Sequence, residues 1–170
     1  MATVAANERV FNFSPGPAVL PLSVLQQVQR DLVCLPGYGM SILEMSHRSQ
    51  GFLDILATTK SDLRTLLGMS DDYEIIFLQG GSRLQFSMIP MNLLQADKGP
   101  AEYLVSGSWS KMAFAEAPKA GNATVVWDGK ETNFDRLPDK LTFSSDAAYA
   151  YLCTNETIQG VQFQSDPDTG

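Results

Sequence analysis

The sequence predicts an α/β fold in which a mostly parallel sheet is covered by helices. Segments with strand character alternate with segments of helical spacing along the 170-residue chain, and this alternation favours a parallel or mixed sheet. The segment 74–78 is almost entirely apolar, as expected of a strand buried on both faces. Three predicted strands run into glycine-rich or polar loops, at Gly80, Ser106 and Thr154. Because ligands bind beyond the carboxyl ends of strands in open α/β sheets, we expect these loops to meet at one crevice.

The order of elements follows from apolar spacing and from glycine and proline positions. An extended arm over 10–17 contains two prolines, which disfavour helix before them. Gly68 is expected to end the second helix, and Pro90 to kink the third. The final stretch from Gly160 has the composition of a loop. The predicted helices lie at about 22–32, 52–67, 84–94 and 111–119, and the predicted strands at 74–78, 102–105, 123–127 and 148–153.

Composition and charge limit the classes of function. Hydrophobic residues make up 44% of the chain and charged residues 18%, which is typical of a globular protein. The net charge of −7 argues against nonspecific binding to nucleic acid or to an anionic membrane. No apolar run reaches the length of a membrane span, and the polar start is unlike a signal peptide, so a cytoplasmic protein is expected.

Cysteine and histidine content bears on metal binding and on the redox compartment. The two cysteines, Cys34 and Cys153, are expected to be reduced, buried thiols in a reducing compartment, and no CxxC pair is present. His47 is the sole histidine, so a metal site of the usual Cys/His type is not expected.

The strongest local signal for a ligand is the run from Gly80 to Arg83, where a predicted strand passes into a predicted helix. The backbone N–H groups of Ser82 and Arg83 would there face an anion at a helix N-terminus, helped by the serine hydroxyl and the guanidinium. The alternative is an ordinary tight turn, since Gly-Gly pairs are common. The run is not a P-loop, because no Gly-Lys-Ser/Thr follows it.

Three further positions are candidates for binding. Trp109 follows a strand-end Ser-Gly-Ser and has a ring that could stack on a planar ligand, or it fills the edge of the core. Thr157 ends another strand with a hydroxyl that could bond a ring substituent, or it belongs to a capping turn. His47 and Arg48 form a compact cationic pair suited to a carboxylate or phosphate, with a solvated loop or a salt bridge as the alternative. None of the six lysines reads as a buried amine of low pKa.

Five segments, taken in order, resemble one known family, the phosphoserine aminotransferases, which are pyridoxal-phosphate enzymes of the fold-type I group. The resemblance runs from about Arg9 to Phe163, nearly the whole chain. Five segments in the right order are far more specific than any one alone. The segments are 11–18, 45–48, 77–81 with 85–86, 107–109 and 155–161.

The resemblance implies a role in binding pyridoxal 5′-phosphate for four residues. Ser82 and Arg83 match positions that bind the cofactor phosphate. Trp109 matches an aromatic residue that stacks on the pyridine ring, and Thr157 a threonine whose hydroxyl meets the cofactor. Many members carry Ala or Gly where this chain has Ser82, and serine keeps the backbone N–H that the role needs.

The resemblance also implies substrate contacts and a partner. His47 and Arg48 match contacts to the substrate phosphate and carboxylate. Arg48 tends in the family to serve the neighbouring subunit's site, which implies a homodimer. The implied reaction moves an amino group from L-glutamate to 3-phosphooxypyruvate and yields 2-oxoglutarate and O-phospho-L-serine, a step in serine biosynthesis.

Length is the chief departure, because the family is about twice as long. Residues 1–170 are expected to be the N-terminal arm and the first half of the cofactor-binding large domain, without the C-terminal half and the small domain. The Schiff-base lysine is expected beyond Gly170, so no catalytic residue lies within this chain and the isolated chain is expected to be inactive. Two alternatives stay open: another fold-type I enzyme, or a truncated, non-catalytic module.

Overall fold

The computed structural model describes residues 9–94 and 98–169. The chain divides into two compact units, Met1–Phe77 and Leu78–Gly170. None of the described helices is both long and apolar enough to cross a membrane.

The N-terminal unit contains two α-helices and a short 3₁₀ helix. Helix α1 spans Leu22–Asp31, the 3₁₀ helix Ile42–Glu44 and helix α2 Gln50–Leu67. Helix α2 begins at Ser49, whose Oγ accepts the Phe52 N–H at 3.4 Å, and ends at Gly68 in the left-handed conformation (φ 60°). Both predicted helices and the predicted stop at Gly68 are therefore confirmed.

Burial is sparse in this unit. Among residues 9–77, only Ser41 and Gly51 are buried. The apolar positions of α1 are largely exposed, including Val24, Val28 and Leu32. The N-terminal unit thus has helices with apolar faces but buries no apolar cluster within the described residues.

The predicted strand at 74–78 is wrong for this structure. These residues form neither helix nor strand, and the side chains of Ile76 and Phe77 are 66% and 56% exposed. An apolar run favours a strand, but a strand forms only where a neighbouring chain pairs with its N–H and C=O groups. No strand of the described residues pairs with this segment.

The C-terminal unit is built around a three-stranded parallel sheet. Strands β1 (Ala101–Val105), β2 (Ala123–Asp128) and β3 (Tyr149–Tyr151) lie in the order β2-β1-β3. Helix α3 spans Gly81–Leu93 and continues through Pro90, and helix α4 spans Ser108–Glu116. Three of the four predicted strands and the two predicted helices of this unit are confirmed, although the 3₁₀ turn Ala117–Lys119 forms the end of the predicted fourth helix.

A small hairpin follows the sheet. Strands β4 (Asn155–Glu156) and β5 (Val161–Gln162) pair antiparallel. The loop predicted from Gly160 onward is therefore wrong at β5. Strands of two residues are too short to show the alternation on which sequence prediction depends.

The core of this unit lies on β1. All five residues of β1 are buried, and Tyr103 stacks on Tyr151 with ring centroids 4.8 Å apart. The Tyr103 and Tyr149 hydroxyls are 2.8 Å apart. Burial, followed by this hydrogen bond, raises the pKa of Tyr103 above its ordinary value. Phe86 of α3 and Ala113 of α4 belong to the same cluster, so both helices are held against the sheet.

The strand order creates a switch point between β1 and β3. The chain leaves β1 to form β2 on one side and returns to form β3 on the other. In open parallel sheets, ligands bind in the crevice beyond the carboxyl ends of the strands at such a point. The segments that follow β1 and β3 are therefore where a site is expected.

The cysteines are both free, but they differ in exposure. Cys34 is exposed and Cys153 is partly buried. The expectation of two buried thiols is therefore wrong for Cys34. It follows Leu32 and Val33 after helix α1, and these apolar neighbours are themselves exposed in a unit that buries little.

Candidate functional site

The structure brings Trp109 and Thr157 into direct contact beyond the ends of β1 and β3. The Trp109 indole Nε1 donates a hydrogen bond of 2.8 Å to the Thr157 Oγ1. Trp109 is partly buried and packs against the core cluster, whereas Thr157 is exposed. The threonine hydroxyl accepts from the indole, so its own proton is left to donate to a further acceptor. A half-exposed aromatic ring is thus fixed beside a hydroxyl donor.

Two further hydrogen bonds hold the same two segments together. The Ser108 N–H donates to Gln159 Oε1 at 3.1 Å, and Gln159 Nε2 donates to Ser108 Oγ at 2.7 Å. Ser108 directly precedes Trp109, and Gln159 follows Thr157 by two residues. The start of α4 and the β4–β5 hairpin are therefore joined by several hydrogen bonds.

The turn before α3 has the features expected of an anion-binding helix start. Gly80 is the N-cap with φ 93°, and no side chain caps the first turn. A Cβ on Gly80 would lie 2.5 Å from the Leu84 Cβ, so a larger residue does not fit. A Cβ on Gly81 would meet no atom within 4 Å, so the space beside this turn is open. Ser82 and Arg83 in this first turn are both exposed.

A side-chain hydrogen bond joins the middle of α3 to the last residue of α4. Ser87 Oγ donates to Glu116 Oε2 at 3.1 Å, and further along both segments a Cβ on Gly121 would lie 2.9 Å from Leu94. The bond from Lys119, then the bond from Ser87 and, more weakly, the charge of Arg83 lower the pKa of Glu116. The charge of Arg83 thus acts on the carboxyl group of Glu116, at the C-terminal end of α4.

His47 and Arg48 lie in the N-terminal unit, in the turn between the 3₁₀ helix and α2. Both are exposed, and neither forms an ion pair within residues 9–94 and 98–169. The turn is ordered by Ser46, whose Oγ accepts the Arg48 N–H at 3.2 Å and whose carbonyl accepts the Ser49 hydroxyl at 2.7 Å. The turn thus holds His47 and Arg48 exposed, and no carboxylate of the described residues pairs with either.

Sequence reasoning missed three residues that build the site: Glu156, Ser110 and Gln159. Glu156 is fully buried and hydrogen-bonds the start of α4. A glutamate between asparagine and threonine looks like a surface loop residue, and only the hairpin turns it inward. The sequence signal that could have indicated them is the pair Ser108 and Ser110 at a helix start. The N–H groups of a helix start need acceptors from elsewhere in the chain.

The match to the family model of class-V aminotransferases covers residues 10–167. The chain therefore belongs to the class-V aminotransferase family, and the predicted resemblance is confirmed at this level. The described sheet and helices also match solved members of the group, which confirms the predicted fold-type I architecture for the part that the chain covers.

Within that family, the chain is similar to phosphoserine aminotransferases. It is 52% identical over 163 residues to that of Rhodopirellula baltica, covering 95% of this chain and 43% of the relative. It is 47% identical to phosphoserine aminotransferase 2, chloroplastic, of Arabidopsis thaliana, covering 97% of this chain and 39% of the relative.

Solved structures give the same relationship. The phosphoserine aminotransferase from Bacillus circulans subsp. alkalophilus matches with a TM-score of 0.86 and 41% identity over 96% of this chain and 45% of that one. The phosphoserine aminotransferase from Trichomonas vaginalis, solved with pyridoxal phosphate bound, matches with a TM-score of 0.86 and 37% identity over 95% of this chain and 49% of that one. The chain thus spans somewhat less than half the length of these relatives.

Proposed function

We propose that this chain forms the cofactor-binding N-terminal part of a phosphoserine aminotransferase. The reaction moves an amino group between L-glutamate and 3-phosphooxypyruvate and yields O-phospho-L-serine and 2-oxoglutarate. The observation that carries the proposal is the Trp109–Thr157 contact at the switch point of the sheet, in a chain about half identical to such enzymes. The remaining part of the enzyme, including the Schiff-base lysine, is proposed to lie outside the 170 residues.

The residues fit pyridoxal 5′-phosphate in three respects. The Trp109 ring offers a flat, partly buried face for a pyridine ring. Thr157 has a hydroxyl proton to donate to a ring substituent. The uncapped start of α3, with Arg83 beside it, offers N–H donors and a positive charge for a phosphate. When bound, the cofactor supplies the electron sink that amino transfer needs.

The chain's own residues bind and orient rather than transfer protons. Ser82 and Arg83 would hold the phosphate, and Trp109 and Thr157 would fix the plane of the ring. His47 and Arg48 would bind the phosphate and carboxylate of the substrate, since both side chains are exposed and neither is ion-paired among residues 9–94 and 98–169. A homodimer, in which Arg48 serves the partner's site, and a cytoplasmic location complete the proposal.

A chimaera tests the reaction. Residues 1–167 of this chain, fused to the part of the Rhodopirellula baltica relative that follows its matched segment, should transfer the amino group of O-phospho-L-serine to 2-oxoglutarate. In this chimaera, Thr157→Val should weaken cofactor binding about five-fold, the effect of losing one hydrogen bond. The matched control is Thr124→Val, because Thr124 is exposed on β2 and makes no side-chain hydrogen bond in the described part.

Substrate choice separates the alternatives. Arg48→Ala should raise the KM for O-phospho-L-serine by about ten-fold or more, as expected for a lost charged contact, while exposed Arg30→Ala should not change it. Equal rates with L-serine or L-alanine as donor would instead identify a fold-type I enzyme for unphosphorylated substrates. A folded chimaera that neither binds the cofactor nor transfers an amino group would favour the non-catalytic module.

A further inference from the structure

Glu156 has an environment unlike that of any other carboxylate in the described part of the chain. It is fully buried, and its two carboxylate oxygens accept three hydrogen bonds from the start of α4. Oε2 accepts the Trp109 N–H at 2.7 Å, and Oε1 accepts the Ser110 N–H at 2.8 Å and the Ser110 hydroxyl at 2.5 Å. No Lys or Arg pairs with it among residues 9–94 and 98–169.

The helix start supplies what the carboxylate needs. The first N–H groups of a helix lack partners within the helix, and the helix dipole is positive there. A buried carboxylate that accepts several N–H bonds is a strong cap, because bonds to a charged acceptor are stronger than neutral ones. Glu156 therefore caps α4 from another segment of the chain, 47 residues after Trp109.

Space around the carboxylate is filled. A Cβ on Gly107 would lie 2.5 Å from the Glu156 Cδ. The φ of Gly107 is 178°, an extended conformation open to any residue, so the glycine is needed for room. Ser110 Oγ also accepts the Ser106 and Gly107 N–H groups, at 2.8 and 3.0 Å. The carboxylate thus has one tightly enclosed position.

Two consecutive residues of the hairpin hold Trp109 at two points. Glu156 binds its backbone N–H, and Thr157 binds its indole N–H. The bond to the backbone N–H fixes the main chain of Trp109, and the bond to the indole N–H fixes the orientation of its ring. We propose that Glu156 is a positioning residue that sets the orientation of the Trp109 ring and the Thr157 hydroxyl. The identity of the ligand, a phosphorylated aromatic ring, rests on the proposed function, whereas the positioning role does not.

The test uses the full 170-residue chain with Trp109 as its single tryptophan. Trp127, the second of the two tryptophans, is replaced by Trp127→Phe in every sample. Glu156→Gln keeps the size of the side chain but gives it one acceptor oxygen where two are used. Glu131→Gln is the matched control, because Glu131 is exposed in the 3₁₀ turn Gly129–Thr132.

Two readouts report on position without any ligand. The fluorescence anisotropy of Trp109 should fall in Glu156→Gln and stay unchanged in Glu131→Gln. Hydrogen exchange at the Trp109 and Ser110 amides should speed up by about ten-fold or more, the effect of losing a bond to a charged acceptor. A purely structural role would lower the melting temperature but leave the anisotropy of the folded chain unchanged, and that result would overturn the proposal.

A third readout connects position to binding. Pyridoxine 5′-phosphate has the ring and the phosphate but no aldehyde, so it cannot react with lysines. It should quench the fluorescence of Trp109, with a Kd about ten-fold higher in Glu156→Gln than in the control. If it binds no sample while the anisotropy still falls in Glu156→Gln, the positioning role stands and the 170 residues alone do not form the cofactor site.

A second variant covers the case in which Glu156→Gln does not fold. Ser110→Ala keeps the carboxylate and both of its backbone donors. It removes the hydroxyl that donates to Glu156 Oε1 at 2.5 Å and accepts the Ser106 and Gly107 N–H groups. A folded Ser110→Ala chain should also show lower Trp109 anisotropy than Glu131→Gln. Equal anisotropy in those two chains would overturn the proposal.

Discussion

At the scale of single residues, the two thiols make a sharp contrast. Cys34 is exposed, whereas burial, followed by the nearby charge of Glu156, raises the pKa of the Cys153 thiol. A higher pKa leaves less thiolate at a given pH, and the thiolate is the reactive form. At pH 8, Cys153 should therefore react with iodoacetamide at least about ten-fold more slowly than Cys34.

Single-cysteine chains measure this difference. Cys34→Ser leaves only Cys153 and Cys153→Ser leaves only Cys34, so mass spectrometry gives each rate separately. The Cys153 rate should continue to rise above pH 9, because its pKa lies above the ordinary value. Equal rates at pH 8 would contradict the buried setting of Cys153.

The candidate site was only partly predictable from single residues. Trp109 and Thr157 were found because an aromatic ring and a hydroxyl follow predicted strands, and they are in contact. Glu156 was missed, because its burial depends on a hairpin of two-residue strands. The binding roles of Ser82, Arg83, His47 and Arg48 stay predictions.

At the scale of elements, the end of α2 depends on one glycine. Gly68 adopts φ 60°, and its N–H bonds the Thr65 carbonyl at 3.3 Å. A side chain at this conformation costs about 1 kcal/mol. Gly68→Ala should lower the free energy of unfolding by this amount in urea titrations followed by far-UV circular dichroism.

Asparagine provides the control, because it tolerates the left-handed conformation better than alanine. Gly68→Asn should therefore recover part of the stability lost in Gly68→Ala. If both variants were as stable as the parent chain, the left-handed cap would have no energetic role.

Elements were predicted best where the signal is local. Helix spacing and the Gly68 stop depend on residues within one helix, and α1 and α2 are confirmed. The segment 74–78 has an equally clear apolar pattern, yet it is not a strand. Strand formation depends on a neighbour in space, and no pattern within the segment tells whether one is present.

At the scale of the whole molecule, buried tyrosines make stability sensitive to alkaline pH. Burial raises the pKa of Tyr103 and of Tyr151, while tyrosines in the unfolded chain ionise near pH 10. Above that pH the unfolded state releases protons that the folded state keeps, so the free energy of unfolding falls as pH rises. This stability is fully present below about pH 9 and should drop by roughly 1 kcal/mol for Tyr103 by pH 10.5.

Urea midpoints at pH 8 and pH 10.5 test this expectation. Tyr103→Phe removes one titrating group, so its loss of stability between the two pH values should be smaller than that of the parent chain. Tyr73→Phe is the control, since Tyr73 is 65% exposed. An identical loss in both variants would exclude Tyr103 as a source of the pH dependence.

The enclosed carboxylate of Glu156 limits the side chain that residue 107 can carry, although the two positions lie far apart in the sequence. Any side chain at residue 107 needs the atoms of Glu156 to withdraw, because a Cβ there would lie 2.5 Å from the carboxyl carbon. Glu156→Asp shortens that side chain by one methylene, so Gly107→Ala should be far less harmful in its presence than alone. Residues 107 and 156 are therefore expected to change as a pair during evolution, with substitution at one selecting for compensation at the other.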